Sequence, residues 1–383
     1  MKPSALLIPA GAVLFGALVY ACLPNHVVPL DDDFGYLRSV VATLQHARPW
    51  TDDWLEPWAA SLSALSAVAY VLTGNFYVAT YGLLALLGAI SFGLCALLFR
   101  ERAVPSAPAL TFTALGLTCP TVFWKTVQFT SMAVYLPCLF GALLASERRR
   151  WGWFFVAWSL AIAARQSALA WIGLPLGAAV ASLRSDRRPL GAAAPWPAAI
   201  TAVAGMLVYL GLQLGMNRTH AQSVITDHLI DHVSFSRATL SAATGVGVAL
   251  VMSGLGFLCG ALTPVSWCRA VPLRKPVVVA ALALSALASV AFDTRSLVLW
   301  EHVTLSGTVG TVYVKLLVFA GVLGWILGGT ALRLSYVTCA ALAVGLVCLR
   351  GAIWDYYFID AAVFGFFGTA RRDANYRGDH GGP

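Results

Sequence analysis

The stretch "VVPLDDDFGYLRSV", Val27 to Val40, places three consecutive carboxylates, Asp31, Asp32 and Asp33, a few residues after an apolar run at Ala5–Leu23. That run is long enough to cross a bilayer core of ~30 Å. Behind the aspartates, Leu37, Val40, Val41 and Leu44 recur at helical spacing, while Arg38, Gln45 and His46 are polar. The pattern predicts an amphipathic helix on a membrane surface, with the aspartates at its N-terminus, where the helix dipole favours negative charge. One Asp suffices for an ordinary N-cap. Three in a row, followed by a second acidic group in "TDDWLEPW" (Thr51–Trp58), exceed what capping requires and point to a functional loop.

The rest of the chain explains why this loop stands out. Of its 383 residues, 59% are hydrophobic and 11% charged, and the mean hydropathy is +0.77. Apolar runs recur from Ala5 to Ala370, and a soluble domain does not expose so much apolar surface. The composition predicts an all-α, polytopic transmembrane bundle forming a single domain over 1–383. The formal charge of +8 does not indicate nucleic acid, because the basic residues sit in short loops between spans.

Those loops set the orientation. "RER" (Arg100–Arg102), "ERRR" (Glu147–Arg150), "RSDRR" (Arg184–Arg188), "CRAVPLRK" (Cys268–Lys275) and "RR" (Arg371, Arg372), with Lys2, Arg333 and Arg377, hold most of the 25 Lys and Arg residues. The positive-inside rule places them in the cytoplasm. About twelve spans of suitable length then fit between these anchors: 5–23, 76–99, 108–123, 129–146, 152–165, 167–183, 195–215, 241–262, 277–292, 309–331, 335–350 and 357–370. Both termini are cytoplasmic, with the N-terminus a retained signal anchor and 371–383 a short tail. "PWAASLSALSAVAYVLTG" (Pro57–Gly74) would reverse every later cluster if it crossed, and reads instead as an interfacial or re-entrant helix on the outer side. Most of the 17 acids fall outside or at outer span ends. The eight cysteines form no CxxC pair and read as small packing residues. Compact loops and Ala-, Leu- and Gly-rich spans predict a bacterial inner membrane.

A first span, an outer loop (24–74) with an acidic pair, a tyrosine and amphipathic interfacial helices, and then many spans together resemble the GT-C superfamily of membrane glycosyltransferases. Protein O-mannosyltransferases and aminoarabinose transferases belong to that group. Its loop motif, D-[DE]-x-x-Y, is matched by "DDFGY": Asp32, Asp33, Phe34, Gly35, Tyr36. "LEPW" (Leu55–Trp58) is similar to the stretch before the interfacial helix, with Glu56 and Pro57 but no lysine between them. "ARQSALAWIGLP" (Ala164–Pro175) resembles the arginine-containing turn at the outer end of a central hairpin and supplies Arg165 and Gln166. "WDYYFIDAAVFGFF" (Trp354–Phe367) partly matches a D-R-Y-x-x-P motif, with Asp355 in place, Tyr356 where Arg is expected and Asp360 near the expected Pro.

The resemblance implies transfer of a sugar from a polyprenyl-phosphate donor to a glycan, lipid or protein acceptor on the outer face. Asp32 would be the catalytic carboxylate and Asp33 its acidic neighbour. Some relatives use a divalent cation such as Mg or Mn, which Asp32 and Asp33 would hold. A carboxylate within hydrogen-bond reach serves as general base for the attacking hydroxyl, and outer cations stabilise the leaving phosphate.

Asp31, Tyr36, Glu56 and Asp355, with Tyr356, are candidate substrate contacts. Arg165 is the strongest cation, because an arginine between apolar runs needs a polar cavity or a partner; Gln166 accompanies it. Lys125, in "FWKTVQFT" (Phe123–Thr130), is either a phosphate or sugar contact or an interfacial anchor. Trp50, Trp54, Trp58, Trp124, Trp171, Trp300 and Trp354 suit sugar stacking or an interface belt. In "NRTHAQSVITDHLIDHVSFSR" (Asn217–Arg237), His228 and His232 share a helix face at the spacing of a metal pair, but no third ligand joins them. They stand as acceptor or phosphate contacts, with a solvated helix face as the alternative. A transporter or flippase of lipid-linked glycans, or a non-catalytic envelope protein, is the competing class. A transporter usually carries repeated halves and midplane charges, and no internal repeat is present.

Overall fold

The computed structural model describes residues 4–22, 33–50, 60–102, 104, 106–118, 120–175, 203, 235–262, 275–292, 308–327, 331–349 and 358–369. Nearly all of these residues are helical, and none of them is in a strand. They belong to two compact units: one holds the chain as far as Leu169, and the other begins at Ala170 and contains everything described from 235 onward.

The first unit is built on α1 (Ser4–Cys22) and α4 (Leu83–Glu101), which pack antiparallel through small residues. A Cβ on Gly16 would meet the Ala85 carbonyl, and one on Gly88 would meet Val19. Phe15 and Phe92 stack above this contact with ring centroids 5.4 Å apart. α4 continues a π-helical turn at Val78–Gly82, and together they give the apolar stretch Val78–Glu101, long enough to cross a membrane.

α2 (Asp33–His46) and α3 (Ser61–Thr73) occupy the predicted outer loop. α3 is about 20 Å long at 1.5 Å per residue, short of a ~30 Å hydrocarbon core. It ends at Gly74 with φ 65°, a left-handed C-cap whose N–H bonds the Tyr70 carbonyl. The chain then folds back, and Ser66 Oγ donates to the Ala79 carbonyl within the π turn at 2.6 Å. The Ala60–Gly74 segment is thus a hairpin arm against the start of α4.

α2 packs through Tyr36, Ser39, Val40 and Thr43, all buried, whereas Phe34 and Val41 are exposed. Of the apolar stripe read from the sequence only Val40 is buried, and Val41 faces outward. That outward apolar face suits an interfacial helix.

α5 (Ser106–Leu117) and α6 (Pro120–Val127) replace the single span predicted at 108–123. Pro120 has no N–H to extend the helical ladder, so α6 starts afresh with proline in its first turn. α7 (Met132–Glu147) is the centre of the unit: residues 125–140 are buried on every side. α8 (Trp151–Ile162) packs beside it and leads into a 3-10 turn, Gln166–Ile172, where the sequence predicted the next span.

The second unit is organised around α9 (Phe235–Leu262), which contains the second membrane-length apolar stretch, Ala238–Leu258. α10 (Lys275–Ala291), α11 (Thr308–Leu327), α12 (Ala331–Leu349) and α13 (Ile359–Thr369) complete it. Glycines allow close approach, as in membrane helix pairs. Gly254 lies against the Leu317 carbonyl of α11, and Gly365 of α13 against the Ala249 carbonyl. Trp325 Nε1 donates to Ser253 Oγ at 2.9 Å, and Thr369 Oγ1 donates to the Ser253 carbonyl at 2.6 Å. In both units large apolar side chains point outward, up to 79% exposed at Leu72 and 74% at Val290.

Candidate functional site

α7 separates two ends of the first unit that use their charges differently. At its C-terminal end, Glu147 pairs with Arg102, the C-cap of α4, at 2.6 Å, with both side chains buried. Arg148 pairs with Glu101, also at 2.6 Å, on a partly exposed face. The "RER" and "ERRR" clusters, which the charge rule assigns to one side of the membrane, therefore meet at one end of one unit.

The N-terminal end of α7, about 22 Å away along the helix, carries both cationic and polar side chains. Tyr135 shares a 2.9 Å hydrogen bond with Ser167 Oγ, and the Arg165 guanidinium lies 5.7 Å from the Tyr135 ring centroid, within cation–π range. The Arg165 turn is held from three sides. Its N–H donates to the Ala161 carbonyl at 2.7 Å, its carbonyl accepts from Ala168 N–H at 3.2 Å, and Trp158 Nε1 donates to the Ala168 carbonyl at 2.6 Å. Lys125, in the last turn of α6, is only 9% exposed. Thr130 Oγ1 donates to the Lys125 carbonyl at 3.3 Å, fixing the turn into α7. Gln128 sits between them, 1% exposed.

The interfacial arm reaches the same end. Ser61 N–H donates to the Ala163 carbonyl at 3.1 Å, docking the start of α3 on the end of α8. Ser63 Oγ donates to the Trp50 carbonyl at 3.3 Å, and Trp50 N–H donates to Thr43 Oγ1 at 3.1 Å, docking the end of α2 on α3. The chain of contacts thus runs from α2 through α3 to Arg165, Tyr135 and the α6–α7 turn.

Among the residues singled out in the sequence, Tyr36, Lys125 and Arg165 belong to this unit, with Tyr36 on the packed face of α2. Asp33 is the first residue of α2, and Gln166 opens the 3-10 turn. Asp31, Asp32, Glu56, His228, His232, Asp355 and Tyr356 lie outside the described residues, as does the tail 371–383. Among the described residues no three His, Cys, Asp or Glu side chains are grouped to hold a metal ion.

Two aromatics differ from the sequence reading. Trp50 is already engaged: His46 stacks on it at 4.4 Å and the Arg48 guanidinium lies 4.8 Å from its ring. Trp171 is fully buried in the second unit and donates from Nε1 to Asp360 Oδ1 at 2.9 Å, so it is a core residue and not part of an interface belt. Tyr135, Ser167 and Gln128 were not singled out. The signal for Gln128 was its place in "FWKTVQFT", one helical turn beyond Lys125. For Asp360 the signal was a lone acid in a strongly apolar run, which demands a buried partner.

The α7 N-terminal end thus brings together the Arg165–Tyr135 cation–π pair, the Tyr135–Ser167 hydrogen bond and the buried side chains of Lys125 and Gln128. Compared with protein-family models, curated proteins and solved structures, the chain has no significant match.

Proposed function

We propose that the chain is a multi-pass membrane glycosyltransferase of GT-C type, with about twelve spans, seated in a bacterial inner membrane with its reactive end outside. The observation that carries this reading is the contrast between the two ends of α7. At one end the two glutamates, Glu147 and Glu101, are held in ion pairs with Arg102 and Arg148. The other collects Lys125 and Arg165 beside the docked interfacial helices, and the first of those helices begins at Asp33 of "DDFGY". The outward-facing apolar side chains of both units support the membrane setting.

In this reading the polyprenyl-phosphate donor enters from the bilayer with its phosphate at Arg165 and Lys125. Asp32 accepts the proton of the acceptor hydroxyl as the oxygen attacks the anomeric carbon. The bond from that carbon to the phosphate oxygen breaks, its electron pair leaves with the polyprenyl phosphate, and the two cations balance the charge that develops. Attack opposite the leaving group inverts the anomeric centre.

The runner-up, a transporter of lipid-linked glycans, draws support from the division into two compact units. One experiment separates the two. Radiolabelled polyprenyl-phosphate sugars are supplied to cells expressing the wild type or Asp32→Asn at matched abundance. The transferase reading expects label covalently joined to an acceptor by the wild type and not by the variant. Label moved across the membrane without a new covalent product, or transfer unaffected by the substitution, overturns it.

A further inference from the structure

The α6–α7 turn buries an amide that nothing among the described residues satisfies. Gln128 is 1% exposed, and neither its Oε1 nor its Nε2 has a hydrogen-bond partner. The neighbouring hydroxyls are turned to the backbone: Thr126 Oγ1 donates to the Val122 carbonyl at 2.9 Å, and Thr130 Oγ1 donates to the Lys125 carbonyl. Gln128's own carbonyl accepts from the Thr130 N–H at 2.8 Å. Only the side chain is left over. A buried amide without partners is unfavourable, and in a segment buried from 125 to 140 a leucine or methionine would fill the same space without that penalty. An unsatisfied buried group of this kind calls for a further partner, an ordered water, an ion or a ligand.

The amide also says what kind of ligand. It offers two N–H donors and one acceptor oxygen on the same planar group. A phosphate carries acceptors only and would leave Oε1 unmet; a polyprenyl chain would leave both unmet. Sugar hydroxyls give and accept on neighbouring atoms and satisfy both. Lys125, three residues earlier in the last turn of α6, is itself mostly buried.

We propose that Gln128 reads the sugar of the donor, forming a hydroxyl-binding subsite at the α6–α7 turn next to the phosphate position. This rests on the transferase reading and adds to it the residue that distinguishes a glycosylated lipid from the bare lipid phosphate.

The test uses the purified full chain in detergent and thermal unfolding with four probes. These are a short-chain polyprenyl phosphate without sugar and the same lipid carrying glucose, mannose or arabinose. For the wild type, at least one glycosylated lipid is expected to stabilise more than the bare phosphate. In Gln128→Leu the bare phosphate should act as before, while the preferred glycosylated lipid binds about tenfold or more weakly. Without any lipid, Gln128→Leu should unfold at a higher temperature than the wild type, because the unmet amide is gone. Should the leucine variant not accumulate, Gln128→Met carries the same two measurements.

A variant that keeps the wild-type preference for glycosylated lipid overturns the proposal. So does one that unfolds earlier than the wild type without lipid, which would mean that trapped water already satisfies the amide. If none of the four lipids stabilises the wild type, the transferase reading itself fails and takes the subsite with it.

Discussion

Two ion pairs of equal length at the same end of the first unit should differ greatly in worth. Arg102 Nη2 and Glu147 Oε1 are 2.6 Å apart with side chains 4% and 1% exposed; Arg148 Nη2 and Glu101 Oε1 are also 2.6 Å apart, but 36% and 27% exposed. Glu147→Gln removes the charge facing a guanidinium that water cannot reach, and breaking a buried pair from one side destabilises by about 3–5 kcal/mol. Glu101→Gln acts on a pair that solvent already screens and should lower stability by under about 1 kcal/mol. Unfolding of the purified protein, followed by tryptophan fluorescence, should place Glu147→Gln about 4–6 °C below the wild type, with Glu101→Gln close to the wild type. Removing both buried charges with Arg102→Met and Glu147→Leu together should recover most of the loss, since no lone charge is left behind. Raising salt should weaken the exposed pair and leave the buried one unchanged. If Glu147→Gln and Glu101→Gln lose the same stability within about 0.5 kcal/mol, the argument from burial is wrong.

Other expectations are independent of this pair. Trp171→Phe removes the N–H that meets the buried Asp360 carboxyl and should destabilise by about 1.5–3 kcal/mol. Asp360→Asn keeps an acceptor for Trp171 and should lose less; equal losses in the two variants would show that the hydrogen bond is not what matters. Gly254→Ala would push a methyl into the Leu317 carbonyl and separate α9 from α11, whereas a Cβ on Gly345 meets nothing within 4 Å. Gly254→Ala should therefore lower the unfolding temperature and Gly345→Ala should leave it unchanged or raise it slightly. Similar effects at the two glycines would contradict the packing.

How much of this was legible in the sequence depends on whether the deciding force is local. The start of α2 at Asp33 and the short α3 followed from period, length and charge, all carried by neighbouring residues. The break between α5 and α6 was not read, because hydropathy is high on both sides of Pro120 and the lost backbone donor leaves no mark in an apolar average. Trp171 was read as an interface residue for a related reason. Its indole is amphipathic wherever it stands, and the partner that fixes it in the core, Asp360, lies 189 residues further on. Gln128 was passed over because a polar residue near a span end ordinarily touches water, and only burial shows that this one does not.

The charge balance of the first unit ties these readings together. Its described residues contain three acidic side chains, Asp33, Glu101 and Glu147, and the two glutamates are engaged with Arg148 and Arg102 at one end of α7. Lys125 and Arg165 lie towards the other end. In the transferase proposed above, the acidic stretch around Asp31 to Glu56 and the donor phosphate are both drawn to these two cations. The loop carboxylates and a lipid phosphate would therefore compete for the same two cations. In the proposed transferase, a phosphate that displaces the carboxylates would leave one of them free to accept a proton from an incoming hydroxyl, coupling donor binding to activation of the base.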